Sequence, residues 1–147
     1  MLTRRTQLVT GEQVPPRFID EHRITIGAPR DRVWTALRDY CETTLMKDRG
    51  GPLPLLLGTE PRAGFAVSRE VRGRRLDLTG RHRFSRYRLV FEIRDSEAQD
   101  GTELIARTFA DFPGPQGFVY KTLVIRTGGH ALTVRRMLQS IGRASRA

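Results

Sequence analysis

Cysteine is almost absent from this chain, because Cys41 is the only one. A single cysteine excludes an internal disulfide and provides no metal-ligand spacing. Long apolar runs are absent as well, since no segment approaches the roughly 18 residues that suggest a membrane span. The N-terminal residues contain arginines but no apolar core of a secretory signal. These absences predict a cytoplasmic protein with no metal and no cofactor.

Acidic residues are scarce, with 16 against 26 Lys and Arg, for a net charge of +10. The segment from Arg72 to Arg94 contains eight arginines but only two acidic residues, Asp77 and Glu92, and no acidic residue follows Asp111. Such asymmetry favours anionic partners, including nucleic acid or an anionic membrane surface. A solvated basic face is the structural alternative.

The order of the secondary-structure patterns is more informative than any single motif. A half-buried strand over 18–26 ends at Gly27-Ala28-Pro29 and is followed by an amphipathic helix over 30–40. Alternating segments then predict four more strands, and a helical pattern closes the chain. The four predicted strands cover 65–71, 76–84, 87–93 and 102–112, and the predicted helix covers 116–143. Gly128-Gly129 should kink or loosen that long helix, because glycine costs about 1 kcal/mol relative to alanine there.

Two segments carry a resemblance to a known family. ITIGAPRDRVWTALRD (Ile24 to Asp39) and GTELIARTFADF (Gly101 to Phe112) resemble the first strand–helix junction and a late strand of the START/Bet v 1-like (SRPBCC, polyketide cyclase-like) superfamily. The ending GFVYKTLVIRTGGHALTVRRMLQSI is similar to that of an uncharacterised bacterial branch. The resemblance covers roughly residues 18 to 143 and matches no catalytic signature.

The resemblance implies an α+β helix-grip fold, in which a curved antiparallel sheet wraps around a long C-terminal helix. One or two short helices follow the first strand. We expect an N-terminal arm or edge strand over 1–17 and a single domain over 18–147. Members of the superfamily enclose a cavity for a hydrophobic or amphipathic small molecule, as lipid or hormone carriers or as polyketide aromatases and cyclases.

Polar side chains within the apolar strand pattern are the candidate site residues, because burying such groups without a partner costs about 1–3 kcal/mol. Together with nearby aromatic and histidine residues they form the predicted ligand-binding set. That set is Asp20, His22, Trp34, Arg69, His82, Phe109 (with Phe112 as its alternative), Tyr120 and His130. Each has a structural alternative: an Arg69–Asp20 ion pair, core packing of Trp34, a rim position for His82, or capping of the helix kink by His130.

Three functions remain open from the sequence. The first is binding of a hydrophobic or amphipathic small molecule, whose anionic group, if it has one, would pair with Arg69. The second is a cyclase- or aromatase-like enzyme in which His82 removes a proton, assisted by Arg69 and Tyr120. The third is nucleic-acid or anionic-membrane binding by the basic surface. A homodimer through a sheet edge or through Leu53–Leu57 is also open.

Overall fold

The computed structural model describes residues 14–47, 61, 64–83, 85–98, 100–126 and 128–147, except the side chains of residues 116, 120 and 123–126. Five strands and three α-helices account for most of these residues. They are β1 (Arg17–Ile26), α1 (Arg30–Tyr40), β2 (Ala66–Val71), β3 (Arg75–His82), β4 (Ser85–Asp95), β5 (Thr102–Asp111), α2 (Gly114–Arg126) and α3 (Gly129–Arg146). A π-helical turn over Cys41–Leu45 continues α1. The rest of the predicted linking segment, including Leu53–Leu57, lies outside the described residues.

The strands form one antiparallel sheet in the order β1-β5-β4-β3-β2. Consecutive hairpins connect β2 to β5, and β1 completes the sheet beside β5, so β1 and β2 occupy opposite edges. The Arg72-Gly73-Arg74 turn is confirmed, with Gly73 at a φ of +72° that favours glycine. The register shifts between Phe18 and Asp20 in β1 and between Val67 and Arg69 in β2.

One face of the sheet carries the core. The residues predicted to form the apolar face of β3 and β4, such as Leu76, Leu78 and Phe91, are fully buried in the core, and Asp77 and Val90 on the outer face are buried as well. Against this face pack α1, through Val33, Trp34 and Leu37, and α3, through its own apolar stripe. The buried stripe of α3 is Val134, Met137, Leu138 and Ile141. The helix α3 also contacts α1 and β1, so it lies along the sheet as the helix-grip prediction requires.

The C-terminal helical region differs from the prediction. Instead of one kinked helix over 116–143 there are two helices: α2 ends at Arg126 and α3 begins at Gly129. Gly128 has a φ of +72°, a left-handed conformation that is incompatible with a continuous α-helix and that glycine adopts without a steric penalty. The double glycine therefore divides the helix completely. None of the described helices is long and apolar enough to cross a membrane.

The opposite, outer face of the sheet carries a network of ion pairs across four strands. Asp77 pairs with Arg75 and Arg88, while Glu92 pairs with Arg75, Arg94 and Arg107. The network continues through Arg107–Glu21, Arg23–Glu21 and Arg23–Glu103 to the β1 edge. Arginine charge in the 72–94 segment is therefore partly neutralised within the protein.

Candidate functional site

A pocket of about 350 Å³ lies between the core-facing side of the sheet and the first turns of α3. Its apolar wall includes Ile19, Phe65, Leu89, Phe112, Val134 and Met137. Its polar and charged lining residues are His82, Ser85, Tyr87, Arg88, Thr108, His130 and Thr133. Small-molecule sites typically have this combination of apolar walls with a few polar groups, in volumes from roughly 300 to 1,000 Å³. The pocket is thus at the small end of that range.

His82 and Tyr87 form one side of the pocket, at the start of the β3–β4 hairpin. Their ring centroids are 5.8 Å apart, and Phe65 packs edge-on against Tyr87 at 5.0 Å. The Tyr87 hydroxyl donates a hydrogen bond to the Gly64 carbonyl at 2.6 Å. Burial lowers the pKa of His82 below its ordinary value of 6.5, because a buried imidazolium loses hydration. The His82 imidazole is therefore neutral at physiological pH.

Gly80 explains how Tyr87 reaches this position. A Cβ atom at residue 80 would lie 2.1 Å from the Gly64 oxygen and 2.5 Å from the Tyr87 ring. Only a residue without a side chain allows the ring and the backbone to approach this closely. Gly80 thus shapes this wall of the pocket.

A polar cluster joins β1, β5 and α3 at the opposite side. The Asp20 carboxylate contacts two histidines: Oδ2 lies 3.1 Å from Nε2 of His22, and Oδ1 lies 3.3 Å from Nε2 of His130. The same His130 nitrogen is 3.2 Å from Oγ1 of Thr108. Thr108 is buried and the three other residues are half-buried. Of this cluster, Thr108 and His130 line the pocket directly.

The structure thus brings four of the predicted residues to this region. His82 and His130 line the pocket on different sides, while Asp20 and His22 lie behind His130. Alternation with Ile26 places Asp20 on the core-facing side, opposite Thr108, and the shift in register before it places Phe18 beside Phe109. Of the polar strand residues predicted to converge on a cavity, His82 lines the pocket, whereas Asp20 and His22 contact each other and Asp20 also contacts His130.

Three other predicted residues lie elsewhere. Trp34 is buried in the core and does not line the pocket. Arg69 is exposed on β2, and an Arg69–Asp20 pair is impossible because β1 and β2 are opposite edges of the sheet. Phe109 follows Thr108 in β5, so it points to the outer face, since side chains alternate along a strand. The side chain of Tyr120 lies outside the described residues.

Phe109 belongs to an aromatic contact on the outer face. Its ring packs edge-on against Phe18 at 5.7 Å, and the guanidinium of Arg88 lies 5.4 Å from its centroid. Of the two aromatic residues near the end of β5, Phe112 is the one at the pocket. Phe112 has the same parity along the chain as Thr108 and Ala110, which also line the pocket, whereas Phe109 has the opposite parity.

Thr108, Tyr87 and Met137 line the pocket but are not among the residues predicted from the sequence. Tyr87 has a visible signal, since it shares the apolar alternation of Leu89 and Phe91 in β4. Thr108 has little signal, because β5 is apolar on both faces. Its role depends on His130, which is 22 residues away in sequence.

Arg88 is the only charged side chain among the described pocket residues, and its charge is already paired. Its guanidinium donates to Asp77 at 3.0 Å on the outer face. Elsewhere, burial raises the pKa of the Cys41 thiol to about 12, so this cysteine is unsuited to act as a nucleophile at neutral pH. Among the described residues, no group of His, Cys, Asp and Glu has the arrangement of a metal site.

Comparison with known proteins supports the fold. No protein-family model and no curated protein matches the chain. A conserved protein from Geobacillus kaustophilus is similar over 85% of this chain and 93% of its own, with 12% identity and a TM-score of 0.56. The Mll3558 protein from Rhizobium loti is similar over 85% and 94%, with 17% identity and a TM-score of 0.53. Ara h 8.0201 aligns over 86% and 95% with 8% identity and a TM-score of 0.47.

The likeness to the first two structures extends over almost their whole length, and at such low identity it shows the fold alone. Together with the strand order and the packing of α3, it establishes a helix-grip domain. Function has to be argued from the pocket, because one fold carries many activities.

Proposed function

We propose that this protein binds a small apolar or amphipathic molecule in the pocket between the sheet and α3. The observation that carries this proposal is the lining: an apolar wall interrupted by a few side chains that can hydrogen-bond. Apolar surface supplies the free energy of binding at about 25 cal/mol per Å² removed from water. The polar groups at His82 and His130 would orient the ligand.

The volume supports a compact ligand. At about 350 Å³, the pocket suits a molecule of one or two fused rings or a short chain more than a large polycycle. Larger surface depressions exist, but their linings are of a different kind. The groove between α1 and the end of α3, of about 620 Å³, is bordered by charged and hydroxyl side chains such as Asp31, Arg32 and Ser140.

A steric block tests the proposal. Ala110 is buried and lines the pocket, so Ala110→Phe should fill it. Ala66 is exposed on β2 and borders none of the described pockets, which makes Ala66→Phe a matched control. We expect naphthalene, followed by ligand-detected NMR, to bind the native protein and the control but not Ala110→Phe. Equal binding to all three proteins, or to none, would reject the proposal.

Native mass spectrometry of the purified protein complements this test. Small molecules released on denaturation and identified by mass would name the chemical class of a co-purifying ligand. The Ala110→Phe protein, purified in the same way, should release less of it. Equal amounts from both proteins would place the molecule elsewhere.

Turnover in the same pocket is the second candidate, and the neutral imidazole of His82 favours it. An unprotonated imidazole can accept a proton, which is the first requirement of a general base. The cyclase-like hypothesis from the sequence also needs Arg69 to stabilise an enolate. Arg69 lies on the exposed edge strand β2 and does not line the pocket, so it is not available for that role. A ketone of suitable size, 2-tetralone, tests the remaining role.

Deuterium exchange at the carbon next to the 2-tetralone carbonyl should be faster with the native protein than with His82→Leu, while both bind the ketone equally. Exchange at the same rate in both proteins would exclude His82 as the base.

Binding to nucleic acid or anionic membrane has weaker support, because Arg75, Arg88 and Arg94 pair with carboxylates on the outer face.

A further inference from the structure

The Asp20 cluster determines which nitrogen of His130 carries hydrogen. A carboxylate only accepts hydrogen bonds, and Asp20 faces Nε2 of both His22 and His130. A lone pair on either nitrogen would point at a carboxylate oxygen, which is repulsive. We infer that both histidines carry hydrogen on Nε2 and that this hydrogen of His130 is shared between Asp20 and Thr108.

With hydrogen on Nε2 alone, the His130 ring keeps Nδ1 as an acceptor. Within the described part of the chain, Nδ1 of His130 has no hydrogen-bond partner, whereas Nε2 has two contacts. Because His130 lines the pocket, we propose that the ligand is an uncharged molecule with a hydroxyl donor, a phenol or an enol, that donates to Nδ1 of His130. This inference rests on the proposed function and specifies the ligand class.

The charges around the pocket favour a neutral ligand over an anion. The guanidinium of Arg88 is held by Asp77 on the outer face and so is not available inside. The Asp20 carboxylate lies directly behind His130 and would repel a second negative charge at the same imidazole. An anionic ligand would therefore lack a cation where it needs one, whereas a neutral hydroxyl meets an acceptor.

Three probes of one ring system separate the possibilities: naphthalene, 2-naphthol and 2-naphthoate. One hydrogen bond should make 2-naphthol bind on the order of 3- to 10-fold more tightly than naphthalene at pH 7. Naphthoate, which is an anion, should bind more weakly than 2-naphthol. His130→Leu should remove the advantage of 2-naphthol and leave naphthalene binding intact. Arg135→Leu, at an exposed position of the same helix, should retain it.

The nitrogen spectrum of the native protein gives an independent test that needs no variant. Nitrogen-15 NMR at pH 8 should show His130 with hydrogen on Nε2 and an unprotonated Nδ1, and 2-naphthol should shift the Nδ1 signal. Hydrogen on Nδ1 in the free protein would overturn the inference.

The outcomes distinguish the two proposals. If naphthalene does not bind, the proposed function fails and the inference with it. If naphthalene binds and 2-naphthol has no advantage, or if the advantage survives His130→Leu, the inference alone is wrong and the apolar pocket stands. Tighter binding of 2-naphthoate than of 2-naphthol would show an anion site and would likewise overturn it.

Discussion

Asp77 offers the sharpest test of how the sheet is held together. Its side chain is 4% exposed, although it carries a charge. Oδ1 accepts a hydrogen bond from Nε of Arg75 at 2.7 Å, and Oδ2 accepts from Nη2 of Arg75 and of Arg88, both at 3.0 Å. Asp77→Ala removes all three charge-assisted bonds and leaves two arginines facing each other on the outer surface of the sheet.

The size of the effect follows from what the arginines retain. Breaking a fully buried ion pair costs about 3–5 kcal/mol. Here Arg75 and Arg88 are 27% and 31% exposed, so water compensates part of the loss. Arg75 also keeps Glu92 at 3.4 Å, whereas among the described residues Arg88 retains only its contact with the Phe109 ring. We therefore expect Asp77→Ala to lower the free energy of unfolding by about 2–4 kcal/mol.

Urea titration gives that free energy directly, and the corresponding fall in Tm is about 6–12 °C for a chain of this length. The matched control is Asp95→Ala, since Asp95 pairs with Arg30 at 2.7 Å but is 84% exposed. An exposed pair contributes about 1 kcal/mol at most. If Asp77→Ala costs no more than Asp95→Ala, burial does not strengthen these pairs and the reasoning is refuted.

Two other predictions concern the pocket wall. Burial lowers the pKa of His82 in the folded protein, so below about pH 6.5 the unfolded chain binds the proton first and the folded protein loses stability. His82→Gln should therefore reduce the fall in the urea midpoint between pH 7 and pH 5. An unchanged fall in the midpoint would contradict this prediction. Gly80→Ala should displace Tyr87 and the Gly64 carbonyl, lower stability by about 1–3 kcal/mol and weaken naphthalene binding. Gly27→Ala, where a Cβ meets nothing within 4 Å, is the control, and equal effects of the two substitutions would refute the role of Gly80.

Several elements were predictable because their signals are local. The alternation of Leu76 and Leu78 predicts a strand with one buried face, and the structure confirms it. Proline at position 29, followed by Val33 and Leu37 at helical spacing, predicts the start and the buried face of α1. The fold class was also predictable, since the order of strands and helices leaves few ways to cover the sheet.

The candidate site was predictable only in part. Asp20, His22 and His82 are polar residues within apolar alternation, and this signal placed all three on the core-facing side of the sheet. The same reasoning misplaced Arg69, because a shift in register follows Val67 and β2 is an exposed edge. It also assigned Phe109 to the pocket, since both faces of β5 are apolar and alternation alone does not say which one is covered by α3.

The sequence by itself determined the order of the elements and the core-facing sides of β3, β4 and α1, because these depend on neighbours a few residues apart. Only the tertiary structure decided which polar groups meet. Asp20 reaches His130 across 110 positions, and Arg88, which alternation along β4 directs outward, meets Asp77 on the adjacent strand. Strand order and register bring these groups together, and they are set by packing of the whole sheet against α1 and α3, which no local pattern records.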